Sequence, residues 1–95
     1  YEVTLDVEPA LSESLETYMR RQHIPEMAAT GCFLRIRFDR ASETRFRTCC
    51  HAETEAHLNR YLAEHADGLR GKFSRRFPSG LTVTRETWLE RETWE

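Results

Sequence analysis

The side chains able to do chemistry in this 95-residue chain are four histidines, three cysteines and an unusual supply of arginine. His23 falls near the end of the first expected helix, where a histidine can serve as a general base or anchor a ligand. The plainer role is to cap the last carbonyls of that helix, as cationic groups near a C-terminus do. No acid or nucleophile stands at a catalytic spacing from His23, which favours the cap. His51 shares a strand face with Arg47 and, across a hairpin, with Arg35 and Arg37. Such a group can hold a small anionic ligand, but Asp6 and Glu86 are available to turn it into a salt-bridged subunit surface. Cys49 lies on the same face, and an inert thiol is favoured there over a reactive one. His65 belongs to an apolar helical stripe and reads as a core or kink histidine, while His57 points outward with no assignable role. Cys32, Cys49 and Cys50 form no metal-spaced pair with each other or with the histidines. There is no glycine-rich phosphate loop, nucleophile elbow or spaced pair of carboxylates. No metal and no cofactor is expected.

Composition narrows the classes further. Sixteen acids against fourteen Lys+Arg leave a net charge of -2, which argues against a nucleic-acid partner. Lys72 is the single lysine, so the positive charge is almost all guanidinium, suited to bidentate pairing with carboxylates. No apolar run approaches the roughly 20 residues that span a bilayer, and no stretch reads as a signal peptide. An odd number of cysteines, two of them adjacent, makes a poor disulfide framework; reduced thiols in a cytoplasmic protein are expected. The chain begins at Tyr1 without methionine, so leading residues are expected to have been removed or to lie outside it.

The elements that must position these groups follow from periodicity. Tyr1 to Val7 alternates, with Val3, Leu5 and Val7 on one face, as a half-buried strand does. Pro9 suits a helix first turn, and Leu11, Leu15, Tyr18, Met19 and Gln22 recur at helical spacing. Pro25 predicts a kink or break near His23–Ile24, followed by a short turn to Thr30 and a left-handed stop at Gly31. Cys32 to Arg40 reads as the second strand, with Leu34, Ile36 and Phe38 opposite Phe33, Arg35, Arg37 and Asp39. Ala41-Ser42-Glu43 makes a hairpin into Thr44 to Ala52, whose Phe46, Thr48 and Cys50 oppose Arg45, Arg47, Cys49 and His51. Centred on Ser42, the hairpin pairs Phe38 with Phe46, Ile36 with Thr48 and Leu34 with Cys50. A second helix starts near Glu53–Glu55, kinks at Asp67-Gly68 with Asp67 as a cap, and ends at Pro78-Ser79-Gly80. Leu81 to about Leu89 is the fourth strand, and residues 90–95 an extended tail that echoes Arg85-Glu86-Thr87-Trp88 six residues on.

This order, βαββαβ over residues 1–95, predicts a single α+β domain of ferredoxin-like topology: a four-stranded antiparallel sheet, order 4-1-3-2, with two helices on one face. No helix remains for the other face, which carries Glu2, Thr4, Asp6, Phe33, Arg35, Arg37, Arg47, Cys49, His51, Thr82, Thr84, Glu86 and Trp88. Phe33 and Trp88 on this wet surface point to a partner, and the simplest is a second copy. Trp88 and Trp94 are expected to cover apolar area at such a contact rather than stack a cofactor.

The run His23-Ile24-Pro25-Glu26, then Ala29-Thr30-Gly31-Cys32-Phe33, with Arg60-Tyr61-Leu62-Ala63-Glu64-His65-Ala66 and Leu69-Arg70, resembles a small bacterial family of unknown function, domain-of-unknown-function family 4286. The resemblance runs from the first strand to the fourth. It implies the ferredoxin-like topology of dimeric α/β barrels, in which two sheets pack face to face, and implies no activity. The helix-capping proline usual after His65-Ala66 is replaced by Asp67-Gly68.

Two functions follow. One is a homodimeric binding or interaction module using the open sheet face. The other is a cofactor-independent oxygenase or isomerase with a pocket between sheet and helices, an idea resting on fold analogy. A cavity joining His23 to the arginine face favours the enzyme; the module is preferred.

Overall fold

A computed structural model describes all 95 residues. Strand β1 (Glu2–Val7) leads through a single 3-10 turn, Pro9–Leu11, into helix α1 (Ser12–Tyr18), a π turn (Met19–His23) and helix α2 (Ile24–Ala29). Strands β2 (Arg35–Ser42) and β3 (Arg45–His51) form a hairpin; helices α3 (Glu55–Glu64) and α4 (Ala66–Arg76) follow, then strand β4 (Leu81–Glu86). The sheet is antiparallel throughout, in the order β2-β3-β1-β4, which is the expected 4-1-3-2 read from the other edge.

The helix is irregular where a kink or break is expected, through the π turn Met19–His23, but it does not end at Pro25. The Ile24 N–H reaches back to Met19 O, five residues away. That wide turn absorbs one extra residue and leaves Pro25 in the first turn of α2, where its missing N–H has no intrahelical partner to lose. The chain therefore stays helical through Ala29. Thr30 Oγ1 donates to Met27 O at 2.7 Å, and Gly31, at φ +72°, makes the expected left-handed stop.

The later start of β2 changes the next three residues. Cys32 is buried, Phe33 turns toward the helices with its ring 4.8 Å from Tyr61, and Leu34 is 63% exposed. Alternation begins only once ladder pairing does, at Arg35. Phe33 is thus removed from the open face, and Leu34 from the core.

The hairpin register is also displaced. Phe38 pairs with Thr48, Ile36 with Cys50 and Arg40 with Phe46, and the ladder shifts between Arg40 and Ser42. A bulge takes up Ala41 and the tight turn falls at Glu43-Thr44, so each β2 residue pairs two residues later on β3 than in a hairpin centred on Ser42. Because the displacement is even, the paired side chains from Arg35 to Asp39 and from Arg45 to His51 keep their expected faces. Phe38 and Phe46 still stack, 5.6 Å apart, as diagonal neighbours.

The second helical stretch breaks at His65, whose backbone leaves the helical region (φ -123°, ψ -34°), rather than at Asp67-Gly68. Thr54 caps α3, accepting from the His57 N–H at 3.3 Å. Asp67 lies inside the first turn of α4, where an acid suits the helix dipole but caps nothing.

One face of the sheet is covered. Leu5, Val7 and Phe46 pack against Leu15, Tyr18, Met19, Phe73 and Phe77. A second cluster, Met27, Cys32, Cys50, Tyr61 and Ala66, closes the end near Tyr1, with Phe33, Ile36 and Leu69 against it. These two clusters pack the space between the sheet and the helices around Phe46 and Cys50. No helix is long and apolar enough to cross a membrane.

Candidate functional site: the open sheet face

The uncovered face is a grid fixed by the strand registers. One row across the sheet reads Arg37, Cys49, Glu2, Glu86; the next reads Asp39, Arg47, Thr4, Thr84; a third contains Arg45, Asp6 and Thr82. Arg35 and His51 face each other at the end of β2 and β3. Alternation in each strand sends these groups outward because their neighbours Leu5, Phe46, Thr48 and Cys50 are drawn into the core.

Ion pairs within the chain satisfy part of the grid. Arg45 Nε donates to Asp6 Oδ1 at 2.7 Å, and Arg47 Nη2 to Asp39 Oδ2 at 2.8 Å. Arg37 Nε also reaches both oxygens of Asp39, at 3.1 Å each. These guanidinium bonds hold both aspartates below the ordinary carboxylate range, Arg45 acting on Asp6 and Arg47 first, then Arg37, on Asp39. The Cys49 thiol lies 3.5 Å from Arg37 Nη2 and 3.8 Å from Glu2 Oε2. His51 Nδ1 is 3.6 Å from Glu90 Oε2, a contact that brings the tail back over the end of the sheet.

Three ionised groups of the face have no ion-pair partner in their own chain: Arg35, Glu2 and Glu86. Glu2 and Glu86 stand directly opposite one another in the β1–β4 ladder, where like charges destabilise a sheet. Between Arg35, His51 and Trp88 opens a cleft of about 260 Å³, also bordered by Tyr1, Glu2, Arg37, Cys49 and Glu90. Trp88 is 67% exposed there, and Trp94 farther along the tail is 79% exposed.

The structure therefore brings Arg35, Arg37, Arg47, Cys49, His51, Glu86 and Trp88 onto one surface and leaves two candidates off it. Phe33 is on the helix side. His23 is too, its ring 5.5 Å from Phe73 and 6.1 Å from Tyr18, so the sheet lies between it and the arginines. His23 makes no side-chain cap, because the helix runs on past it. Burial lowers its pKa, Glu26 partly opposes this and Arg85 adds to it. Its Nδ1 is buried without a hydrogen-bond partner, as are Tyr18 Oη and Glu26 Oε2. His65, half-buried at the helix break, lies 6.4 Å from the Tyr61 ring.

Two residues that organise the face were not among the sequence candidates. Asp39 receives two arginines and Arg45 clamps Asp6. The signal for both was plain alternation, which had already placed them opposite Phe38 and Phe46. The three cysteines are free, and burial pushes the Cys50 thiol up to about 11, away from reactivity.

No curated protein and no solved structure matches the chain. The family described as Domain of unknown function (DUF4286) matches residues 1–91, and with nearly the whole chain covered, the protein belongs to that family.

Proposed function

We propose that the protein is a homodimeric interaction module of ferredoxin-like topology, whose two open sheet faces pack together as in dimeric α/β barrels. The observation that carries this reading is the charge left over on that face. Arg35 lacks an anion while Glu2 and Glu86 lack a cation, so the surface holds unmatched groups of both signs. A second copy of the same surface brings further groups of both signs against these, a carboxylate for an arginine and an arginine for Glu86. Complementary charge of this kind sets partner choice and encounter rate, and Trp88 provides the large exposed ring that interfaces favour. The strand order and the helices on a single face support the ferredoxin-like assignment.

The enzyme reading asked for a cavity linking His23 to the arginines. That space is occupied by Leu5, Leu15, Tyr18, Phe46 and Phe73, so no cavity joins His23 to the arginine face, which favours the module. A second, compatible role is a small-ligand site in the cleft of about 260 Å³ at Arg35, where a guanidinium can receive an anionic group beside the carboxylates of Glu2 and Glu90 that also line it.

Light scattering on wild type and Trp88→Asp tests the module. Trp88 is too exposed for its loss to disturb folding by more than about 0.5 kcal/mol. A dimeric wild type and a variant whose dissociation constant rises more than about tenfold are expected. Identical dimers from both proteins would remove Trp88 from the interface.

A further inference from the structure

The open face is divided by charge along a line parallel to its strands. The β2–β3 half carries Arg35, Arg37, Arg45 and Arg47 against the single Asp39, a net of +3. The β1–β4 half carries Glu2, Asp6 and Glu86 and no cation, a net of -3. The two halves are equal and opposite, and the boundary runs between β3 and β1, the middle of the sheet.

A two-fold axis lying between two facing sheets can run along the strands or across them. An axis across the strands sets each strand over its own copy. The four arginines then meet four arginines, and Glu2, Asp6 and Glu86 meet their own kind. An axis along the strands sets β2 over the partner's β4 and β3 over the partner's β1. The positive half then covers the negative half on both sides at once. Within this arrangement the rows are preserved, so Arg37 comes over the partner copy's Glu86 and Arg45 over the partner copy's Asp6. Sheets stack about 10 Å apart, a gap that an arginine and a carboxylate side chain span together.

Resting on the proposed homodimer, we infer that its two sheets meet about a two-fold axis parallel to the strands, with Arg37 paired to Glu86 of the other copy. The pairing resolves the repulsion between Glu2 and Glu86 seen in the single chain. It also fixes register, since like charges juxtaposed by the other axis are penalised. Arg37 and Glu86 cannot meet inside one chain: they sit at opposite edges of the sheet, three strand spacings or about 14 Å apart.

That separation makes the inference testable with charge reversal. Arg37→Glu leaves two acids at the contact and Glu86→Arg leaves two arginines, so each variant alone should self-associate more than about tenfold more weakly than wild type. Mixed in equal amounts, the two variants form one contact in which the introduced acid faces the introduced base, and a second that keeps the original pair. Native mass spectrometry should then show heterodimers in large excess over either homodimer. Should Arg37→Glu not fold, the neutral pair Arg37→Gln and Glu86→Gln replaces it: each should weaken the dimer, and the double variant should lose no more than the stronger single one. A dimeric wild type whose variants gain nothing on mixing, or whose neutral substitutions add independently, overturns the axis and leaves the dimer standing. A monomeric wild type overturns the dimer itself.

Discussion

At the scale of single residues, environment separates groups that look alike in sequence. His23 and His51 are both histidines near arginines in the chain, yet one is wedged among Tyr18 and Phe73 while the other reaches Glu90 on the surface. The difference has a measurable consequence. Burial depresses the His23 pKa below its usual 6.5, so between that lowered value and 6.5 the unfolded chain binds a proton that the folded chain refuses. The contribution of neutral His23 is fully present above about pH 6.5 and is lost as pH falls through the window below it. Urea midpoints of wild type should decline across this window, and those of His23→Phe, which keeps an aromatic ring there, should decline less. Parallel profiles would show that His23 is not the group responsible. The position of His51 could be read from alternation alone. That of His23 could not, because it depends on a π turn that rotates the helix by one residue.

At the scale of elements, the alternating strands were legible and their junctions were not. Strands β1, β3 and β4 follow period-two patterns whose apolar positions the core confirms, from Leu5 to Val83. The exceptions arise where the backbone inserts or delays a residue: the π turn before Pro25, the late start of β2 that turns Phe33 inward, and the bulge at Ala41. Each is a local solution to a geometric demand that residue periodicity does not encode. Two glycines separate conformational from steric demands. Gly31 and Gly80 both have positive φ, at 72° and 87°. A β-carbon on Gly31 meets open space, whereas one on Gly80 lies 2.5 Å from Leu11 Cδ1. Gly31→Ala should cost about 1 kcal/mol, the left-handed penalty alone. Gly80→Ala should cost more, about 2 kcal/mol, because the end of the Leu11 side chain must also move aside. Equal losses in chemical denaturation would place the Leu11 contact in doubt.

At the scale of the whole molecule, helices cover one side of the sheet and leave the other as a divided field of charge. Much of that field was readable from sequence, since alternation already assigned Arg35, Arg37, Arg47, Cys49, His51 and Glu86 to one surface. What alternation could not supply was the pairing: that Asp39 and Asp6 satisfy three arginines within the chain, and that Arg35, Glu2 and Glu86 are left over. The pairing depends on register, which the shifted turn and the bulge at Ala41 together displaced by two residues. The central claim is that this surface is completed by a second copy of itself. The most direct measurement is the mass of the wild-type protein in solution by sedimentation equilibrium, over a range of concentration and salt. A mass of twice the 11.2 kDa chain, falling toward a single chain as salt screens the facing charges, is the predicted result. A mass of one chain at every concentration and at low salt would contradict it.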